Sequence, residues 1–326
     1  MSANPPQLNA QLEVDPTVTT TPVTGLFDRV YKIAVTFFND QSVNLSDSRC
    51  TFKFKKNISR TMQFGSVTIY NLSGTTETDL FKNAKMITVE AGYRNGAYGV
   101  VFQGFVRQPI RGKENATDSF ITLGAIDGDN AMNLAFVSAY VGAGQLPNEI
   151  ANQVVRASNV PFELQIRGDL GGQRTERAKV LFGQPKEILQ QLSTNADAAL
   201  YSTGGTTTMS TVSQEPPPIV PELNYQTGMI GMPRQQDNGI QVRSLLRPDF
   251  IVDSWVKLNN KNIILEPTEF GERLNQYVID LDGVYRIIEI EATGDTRGNE
   301  WYYDLTLLSQ NGALPAIAGL SGQFGF

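Results

Sequence analysis

From Gly25 onward, apolar and polar residues alternate in short runs separated by turn-forming residues. RVYKIAVTFF sets Tyr31, Ile33, Val35 and Phe37 on one face, and CTFKFKK sets Phe52 and Phe54 opposite Lys53 and Lys55. SVTIYNL follows. A short helix is predicted after Ser73-Gly74, where Thr76 and Asp79 have capping-box-like spacing. MITVEAGY places Ile87, Val89, Ala91 and Tyr93 on one face, and Asn95-Gly96 is a hairpin-turn signal. VVFQGFV and DSFITLGAI add two strands. Period-two patterning with short turns predicts an antiparallel β domain, a barrel or a sandwich, from Gly25 to about Asn130.

The pattern then changes. Pro147-Asn148-Glu149 opens a helix carrying Ile150, Val154 and Ala157 at helical spacing. A second helix follows Gln184-Pro185, with Ile188, Leu189, Leu192 and Ala196 on one face. Short strands, PFELQI and ALYSTGGTTTM, complete a small α+β unit, and SQEPPPIVPE reads as a proline-rich linker. The last third is β again, with IQVRSLL, WVKL, NIIL, GVYRIIEIEA and EWYYDLTLLS. In the fourth of these, alternation groups Val284, Arg286, Ile288 and Ile290 on one face and Tyr285, Ile287, Glu289 and Glu291 on the other.

The expected fold class is therefore α+β, mainly β. An extended arm rich in Pro, Thr and Asn spans 1–24, a first β domain 25–135, an α+β insert with its linker 136–220, a second β domain 221–310 and a tail 311–326. The tail is small, apolar and uncharged; it cannot make a core alone and is expected to dock on something. A repeat is also visible. Gly99 and Gly283, 184 residues apart, each begin a long strand, and Phe120 and Trp301, 181 apart, lie at the start of its partner strand. The spacing fits either two ordinary β-hairpins or two copies of one β domain separated by the insert.

Composition narrows the chemistry. The chain has 326 residues, of which 40% are hydrophobic and only 18% charged, below the usual quarter. Its net charge is −6 and its pI near 4.9, which argues against a broad basic face for nucleic acid. There is no histidine, which excludes Ser-His-Asp triads, Cys-His pairs and His-ligated zinc. One cysteine, Cys50, allows neither an intrachain disulfide nor a cysteine metal site. The first two dozen residues lack a basic start and an apolar run, so no signal peptide is expected, and no stretch approaches 18 continuous apolar residues.

The remaining candidates each have a plainer explanation. Gly142-Ala143-Gly144-Gln145-Leu146-Pro147 starts like a dinucleotide fingerprint but lacks its third glycine and its βα context, and reads as helix entry. Asp127-Gly128-Asp129-Asn130 resembles the start of a calcium loop, yet Ala131 holds the third ligand position and no terminal Glu follows. It reads as a turn, as do Asp280 and Asp282-Gly283. Glu289 and Glu291 share a strand face near Asp304, the residue type of glycoside hydrolysis, although a solvated face explains them as well. Trp301, Tyr302 and Tyr303 are split by alternation into core and surface. Lys53, Lys55, Lys56 and Arg60 form the notable basic cluster and read as a solvated strand face. No catalytic, cofactor-binding or metal-binding residue is assigned.

Several segments taken in order resemble a known family. Asp127-Gly128-Asp129-Asn130-Ala131 leads into NLAFVSAYVGAGQLPNEIANQVV. GQPKEILQQLS, then Thr227-Gly228-Met229-Ile230-Gly231-Met232-Pro233, then NGIQVRSLLRPDFIVDSWVKL follow. Their order and wording are similar to those of the baseplate hub proteins of contractile-tailed bacteriophages. That family includes the late-control-protein-D group and the hub part of type VI secretion spike proteins. The resemblance runs from about Gly25 to Ser309.

The resemblance implies a non-enzymatic homotrimer whose subunits each carry two tail-tube-like antiparallel β-barrel domains. Three chains would then present six similar barrels and join a hexameric tail tube to a trimeric central spike. It implies a tail tube or tube-initiator protein and a spike as partners, with the tape-measure protein and baseplate wedge as further candidates. The expected place is the virion tail, assembled in the host cytoplasm, without sequence-specific DNA binding or stable membrane insertion. Gly231-Met232-Pro233 and Asn238-Gly239 would shape the entry to the second barrel. An acidic chain suits a bore that must not grip DNA. With no needle or enzymatic extension after Ser309, the spike is expected to be a separate protein, and the arm or tail to thread onto a neighbouring one. The alternatives are a tail-associated peptidoglycan hydrolase using carboxylates and a carbohydrate-binding attachment module.

Overall fold

Most strands lie where alternation predicts them, and in the first third of the chain the predicted faces turn to the core. The structure, a computed structural model, describes residues 25–128, 130–211, 216–236, 239–259, 264–265 and 283–309. The arm 1–24, Asp129, Asn238, Asp280, Asp282 and the tail lie outside the described residues, as does part of the proline-rich linker. The first part contains β1 (Arg29–Phe37), β2 (Ser42–Asn44), β3 (Cys50–Asn57), β4 (Gln63–Tyr70), α1 (Gly74–Asn83), β5 (Ala84–Tyr93), β6 (Tyr98–Lys113) and β7 (Ser119–Asp127). A π-helical turn (Asn130–Leu134) leads to the insert: β8 (Val137–Val141), α2 (Pro147–Ala157), β9 (Glu163–Arg167), β10 (Lys179–Gly183), α3 (Pro185–Asn195), β11 (Ala198–Thr203) and β12 (Thr206–Thr211). The last part holds β13 (Met229–Gln236), β14 (Gly239–Leu245), β15 (Trp255–Lys257), β16 (Ile264–Leu265), β17 (Val284–Asp295) and β18 (Trp301–Ser309).

The chain is mainly β, as expected. Thirteen strands from both ends of the chain form one sheet in the order β16-β13-β14-β18-β17-β3-β4-β7-β6-β5-β1-β2, with β15 also on β17. The order contains the same block twice. β3-β4-β7-β6 and β13-β14-β18-β17 each consist of a hairpin followed in space by the second and then the first strand of a longer hairpin. Both long hairpins skip one residue of register, at Arg107 and at Ile288, 181 residues apart. The blocks meet head to tail where β17 pairs antiparallel with β3, from Glu289↔Asn57 to Asp295↔Thr51.

One hydrophobic core runs beneath both blocks. Ile33, Val35, Ile87, Val89 and Ala91 are fully buried in it, on the faces predicted from alternation. An aromatic column crosses the junction: Trp301 meets Phe52 edge-on at 5.5 Å, Phe52 stacks beside Phe54 at 4.9 Å, and Phe54 stacks on Phe102 at 4.7 Å. These rings lie on glycine. A Cβ on Gly294 would come within 2.1 Å of the Phe52 ring, and one on Gly65 within 2.7 Å of the Phe102 ring. The tip of the β17–β18 hairpin is held by the first block. Thr296 N–H donates to the Cys50 carbonyl at 2.9 Å, and Arg49 pairs with Asp295 at 2.8 Å. Arg29 donates to the carbonyls of Gly298 and Asn299 at 2.9 and 3.2 Å.

The insert has its own core of Met132, Val137, Ala151, Val154, Leu170, Leu189, Leu200 and Met209. Within it β9 pairs in parallel with β12, β11 antiparallel with β12, and β8 antiparallel with β10. The strands β8 and β10 were not expected: β10 sets Val180 and Phe182 on one face and Leu181 on the other and gives no alternation, and β8 is only five residues long. Two other expectations are corrected. The cap of α1 is Ser73, whose hydroxyl accepts the Thr76 N–H at 3.3 Å; Thr76 lies inside the helix. In β17 the irregularity at Ile288 reverses the alternation, so Tyr285 and Ile287 share the core with Ile290 and Ala292, while Glu289 and Glu291 point outward.

Two outcomes follow. Gly294→Ala should destabilise the protein by about 1–3 kcal/mol in urea unfolding, since the Phe52 ring cannot retreat without breaking the aromatic column. At Asp295, burial raises the carboxyl pKa, but the Arg49 guanidinium and backbone N–H donors outweigh it and hold the group below the usual range. Its stabilising contribution is present above the unfolded value near 3.9 and is lost as pH falls through the lower folded value. Asp295→Asn should accordingly flatten the fall of the thermal midpoint below about pH 4.

Candidate functional site

The outward face of the sheet carries the carboxylates singled out in the sequence. Register places Arg243, Asp304, Glu291 and Lys55 directly opposite one another on four successive strands. Two like charges facing each other across β17 and β18 would destabilise the sheet by themselves. Here each has a cation on its other side. Arg243 grips Asp304 through two hydrogen bonds of 2.6 and 2.9 Å, its guanidinium 4.3 Å above the Tyr302 ring. Lys55 pairs with both Glu291 and Glu289, and Asn57 donates to the other oxygen of Glu289. Burial lowers the Lys55 pKa, but the two carboxylates more than offset this and hold the ammonium above its usual value.

The belt continues across β4, β7, β6 and β5 as an apolar row of Phe64, Ile126, Phe105 and Met86. At its other end it runs into a groove of about 790 Å³ lined by Ile230, Met232, Arg234, Gln241 and the belt carboxylates. The strand beside this groove, β13, is bonded to β14 along one edge and, among the described residues, to the short β16 at Arg234 and Gln235 on the other. Gly231, at φ +73°, follows the paired start of the strand and breaks its register with β14 between Ile230 and Arg234. The expected segment Gly231-Met232-Pro233 thus forms an irregular, partly open sheet edge, with Met232 60% exposed.

The other candidates fall apart as sites or serve the fold. Asp127 is buried and accepts the N–H groups of Gly204 and Gly205 at 2.6 and 3.1 Å, pinning the β11–β12 turn to the end of β7. Burial raises its pKa against those donors. Gly128, at φ +82°, has Ser202 packed where a side chain would lie. The loop Gly142–Pro147 is engaged by the chain itself: Gly144 N–H donates to the Thr175 carbonyl, and Arg174 to the Gly144 carbonyl at 2.7 Å. Trp301 and Tyr303 enter the core while Tyr302 stays outside. The basic cluster is divided: Lys53 and Lys55 face outward, Arg60 is exposed, and Lys56 is half-buried towards Asp127, its pKa lowered by burial. Among the described residues, no group of three His, Cys, Asp or Glu side chains converges as for a metal ion.

Sequence reading missed one polar centre. Asp253, at φ +71° with its side chain wholly buried, receives Arg286, Arg167 at 3.4 Å and the Tyr201 hydroxyl at 2.9 Å. Arg286 also donates to the Ser210 hydroxyl at 2.9 Å. This cluster fastens β17 to strands β9, β11 and β12 of the insert. The signal was an arginine within the apolar run of β17.

No family model matches the chain, and no curated protein is similar to it. Solved structures are. The 43 kDa tail protein of prophage MuSo2 from Shewanella oneidensis superposes with a TM-score of 0.56 at 8% identity, covering 86% of this chain and 97% of that one. The tail protein from Neisseria meningitidis MC58 gives 0.53 at 9% identity, covering 89% and 99%. A weaker likeness, 0.48 at 9% identity over 83% and 76%, is to a component of the type VI secretion system from E. coli. The chain thus has the fold of phage tail proteins. No helix among the described residues is long and apolar enough to cross a membrane.

The two charge systems should differ sharply on mutation. Asp253→Ala leaves two arginines uncompensated beside a buried hydroxyl and should cost about 3–5 kcal/mol in denaturant unfolding. Asp304→Ala, in an exposed pair, should cost less than about 1 kcal/mol, and that loss should shrink at high salt.

Proposed function

We propose that the chain is the hub of a phage-type tail baseplate, a structural protein acting as a homotrimer with pseudo-sixfold symmetry between tube and spike. The observation that carries this reading is the doubled strand block. Two blocks with one strand order and one position of the register break supply the two similar units per chain that a trimer needs to meet a hexamer. On this reading the two blocks are the two tube-like domains, flanking the α+β insert. The junction of β17 with β3 inside the chain then serves as the pattern for contacts between chains. The edge of β13 on one copy approaches the β1–β2 edge of the next, in the same head-to-tail sense.

Force passes through paired strands, and no catalytic step is involved. The carboxylates that a hydrolase would need are committed to Lys55, Arg243 and Asn57, which favours a structural role. Facing the bore, the belt would present DNA with paired charges and no basic stripe, so phosphate would pass without being gripped. Tube, spike, tape-measure and wedge proteins would be the partners.

The mass of the purified protein by light scattering, with imaging of the same fraction, tests this. The expected particle is a ring of three 35.8 kDa chains with a central hole. Met232→Lys at the β13 edge should reduce the ring fraction while changing monomer stability by less than about 0.5 kcal/mol. A stable ring or oligomer of another number would overturn the proposal.

A further inference from the structure

The ribbon of β8 and β10 carries apolar residues on both faces, with Ser138 opposite Phe182 on the outer one. Its inner face, with Val137, Ala139 and Leu181, packs on the insert core. Its outer face presents Tyr140, Val180 and Phe182, with Val180 and Phe182 each 73% exposed. Phe136 stands edge-on to Phe182 at 4.8 Å, and Leu134, two residues before Phe136, is also exposed. Alternation leaves no charged side chain between Tyr140 and Phe182 on this face.

The two outer edges of the ribbon differ. That of β8 is covered by the end of α2: Asn159 N–H donates to the Phe136 carbonyl, Gln153 to the Tyr140 carbonyl, and Val137 bridges to Ser158. That of β10 has no strand partner among the described residues. A two-stranded ribbon with one open edge and an exposed apolar face is marginal alone and is a template for a further strand.

We propose that residues 311–326 of the same chain fold back onto this ribbon as an extended strand against β10. The sequence from Gln310 to Phe326 has no charged residue and carries Leu314, Ile317, Leu320, Phe324 and Phe326. That composition matches an uncharged apolar face. Pro315, lacking an N–H, is tolerated on an edge strand. The departure point also fits. Ser309 pairs with Tyr285, next to Arg286, whose guanidinium bonds Ser210 of β12. Met209 of β12 and Val137 of β8 belong to one small core, so Ser309, the last described residue, lies near the unit that bears the ribbon. Sixteen residues can span roughly 50 Å when extended, several times the thickness of a layer of secondary structure. Tethering gives the segment a local concentration that a free competitor would match only near millimolar.

Disulfide trapping in the full-length chain tests this. Phe182→Cys is combined in turn with Cys at Leu314, Ala316, Ile317 and Ala318, and mild oxidation is followed at low protein concentration. Cys50 does not compete, because it is fully buried and burial pushes its thiol pKa up to about 12. The expected result is an intrachain bridge whose rate alternates with a period of two along the tail. Adding Val180→Asp should slow it at least about tenfold, whereas Val180→Thr, which preserves the strand, should not. Three results would each overturn the proposal. One is a smooth profile untouched by Val180→Asp, which marks tethered collision; the others are bridged dimers as the main product, which mark a second copy, and no bridge at all.

Discussion

The pairing of β3 with β17 is the constraint on which the rest depends. It brings together strands more than two hundred residues apart, makes one sheet of two blocks and sets the aromatic column across their boundary. It also delivers the tip of the second long hairpin to Cys50, Arg49 and Arg29 in the first block. The outer face then acquires the row in which Lys55, from the first block, neutralises Glu289 and Glu291 from the second. Without that junction the β3 edge would be bare and both glutamates would lose their cation.

The insert is held by a different kind of contact. Its own core is small and closed, and its attachment to the sheet includes directional polar groups: the Asp253 cluster and the Asp127 carboxylate on the β11–β12 turn. Hydrophobic burial tolerates sliding, whereas a buried carboxylate with several donors fixes one orientation. The insert is thereby set in one orientation on β17, the strand that also joins the blocks.

Much of the fold could be read from alternation, and the exceptions have physical causes. The faces of β1, β3 and β5 followed from period two because one side of each packs on the core. The faces of β17 did not, since a one-residue irregularity at Ile288 reverses them and the flanking residues are buried on both sides. The ribbon strand β10 gives no alternating signal because apolar residues lie on both of its faces. The spacing of the two long hairpins hinted at duplication, but only the strand order shows the repeated block. Of the belt, the sequence alone groups Glu289, Glu291 and Asp304. Their neutralisation by Lys55 and Arg243 depends on cross-strand register, which a single sequence does not encode locally. Asp253 lies in a loop and meets Arg286 and Arg167 only after three distant segments converge.

The junction also has a consequence for biosynthesis. The edge of β3 is made early, and its partner β17 leaves the ribosome 232 residues later, counting from Asn57 to Glu289. At synthesis rates of about 5–20 residues per second, that edge waits on the order of ten to fifty seconds without its native neighbour. During that interval β3, with alternating Phe and Lys, is a free edge whose outward lysines discourage pairing with the wrong strand. The lysine that later neutralises the belt thus guards the growing chain first.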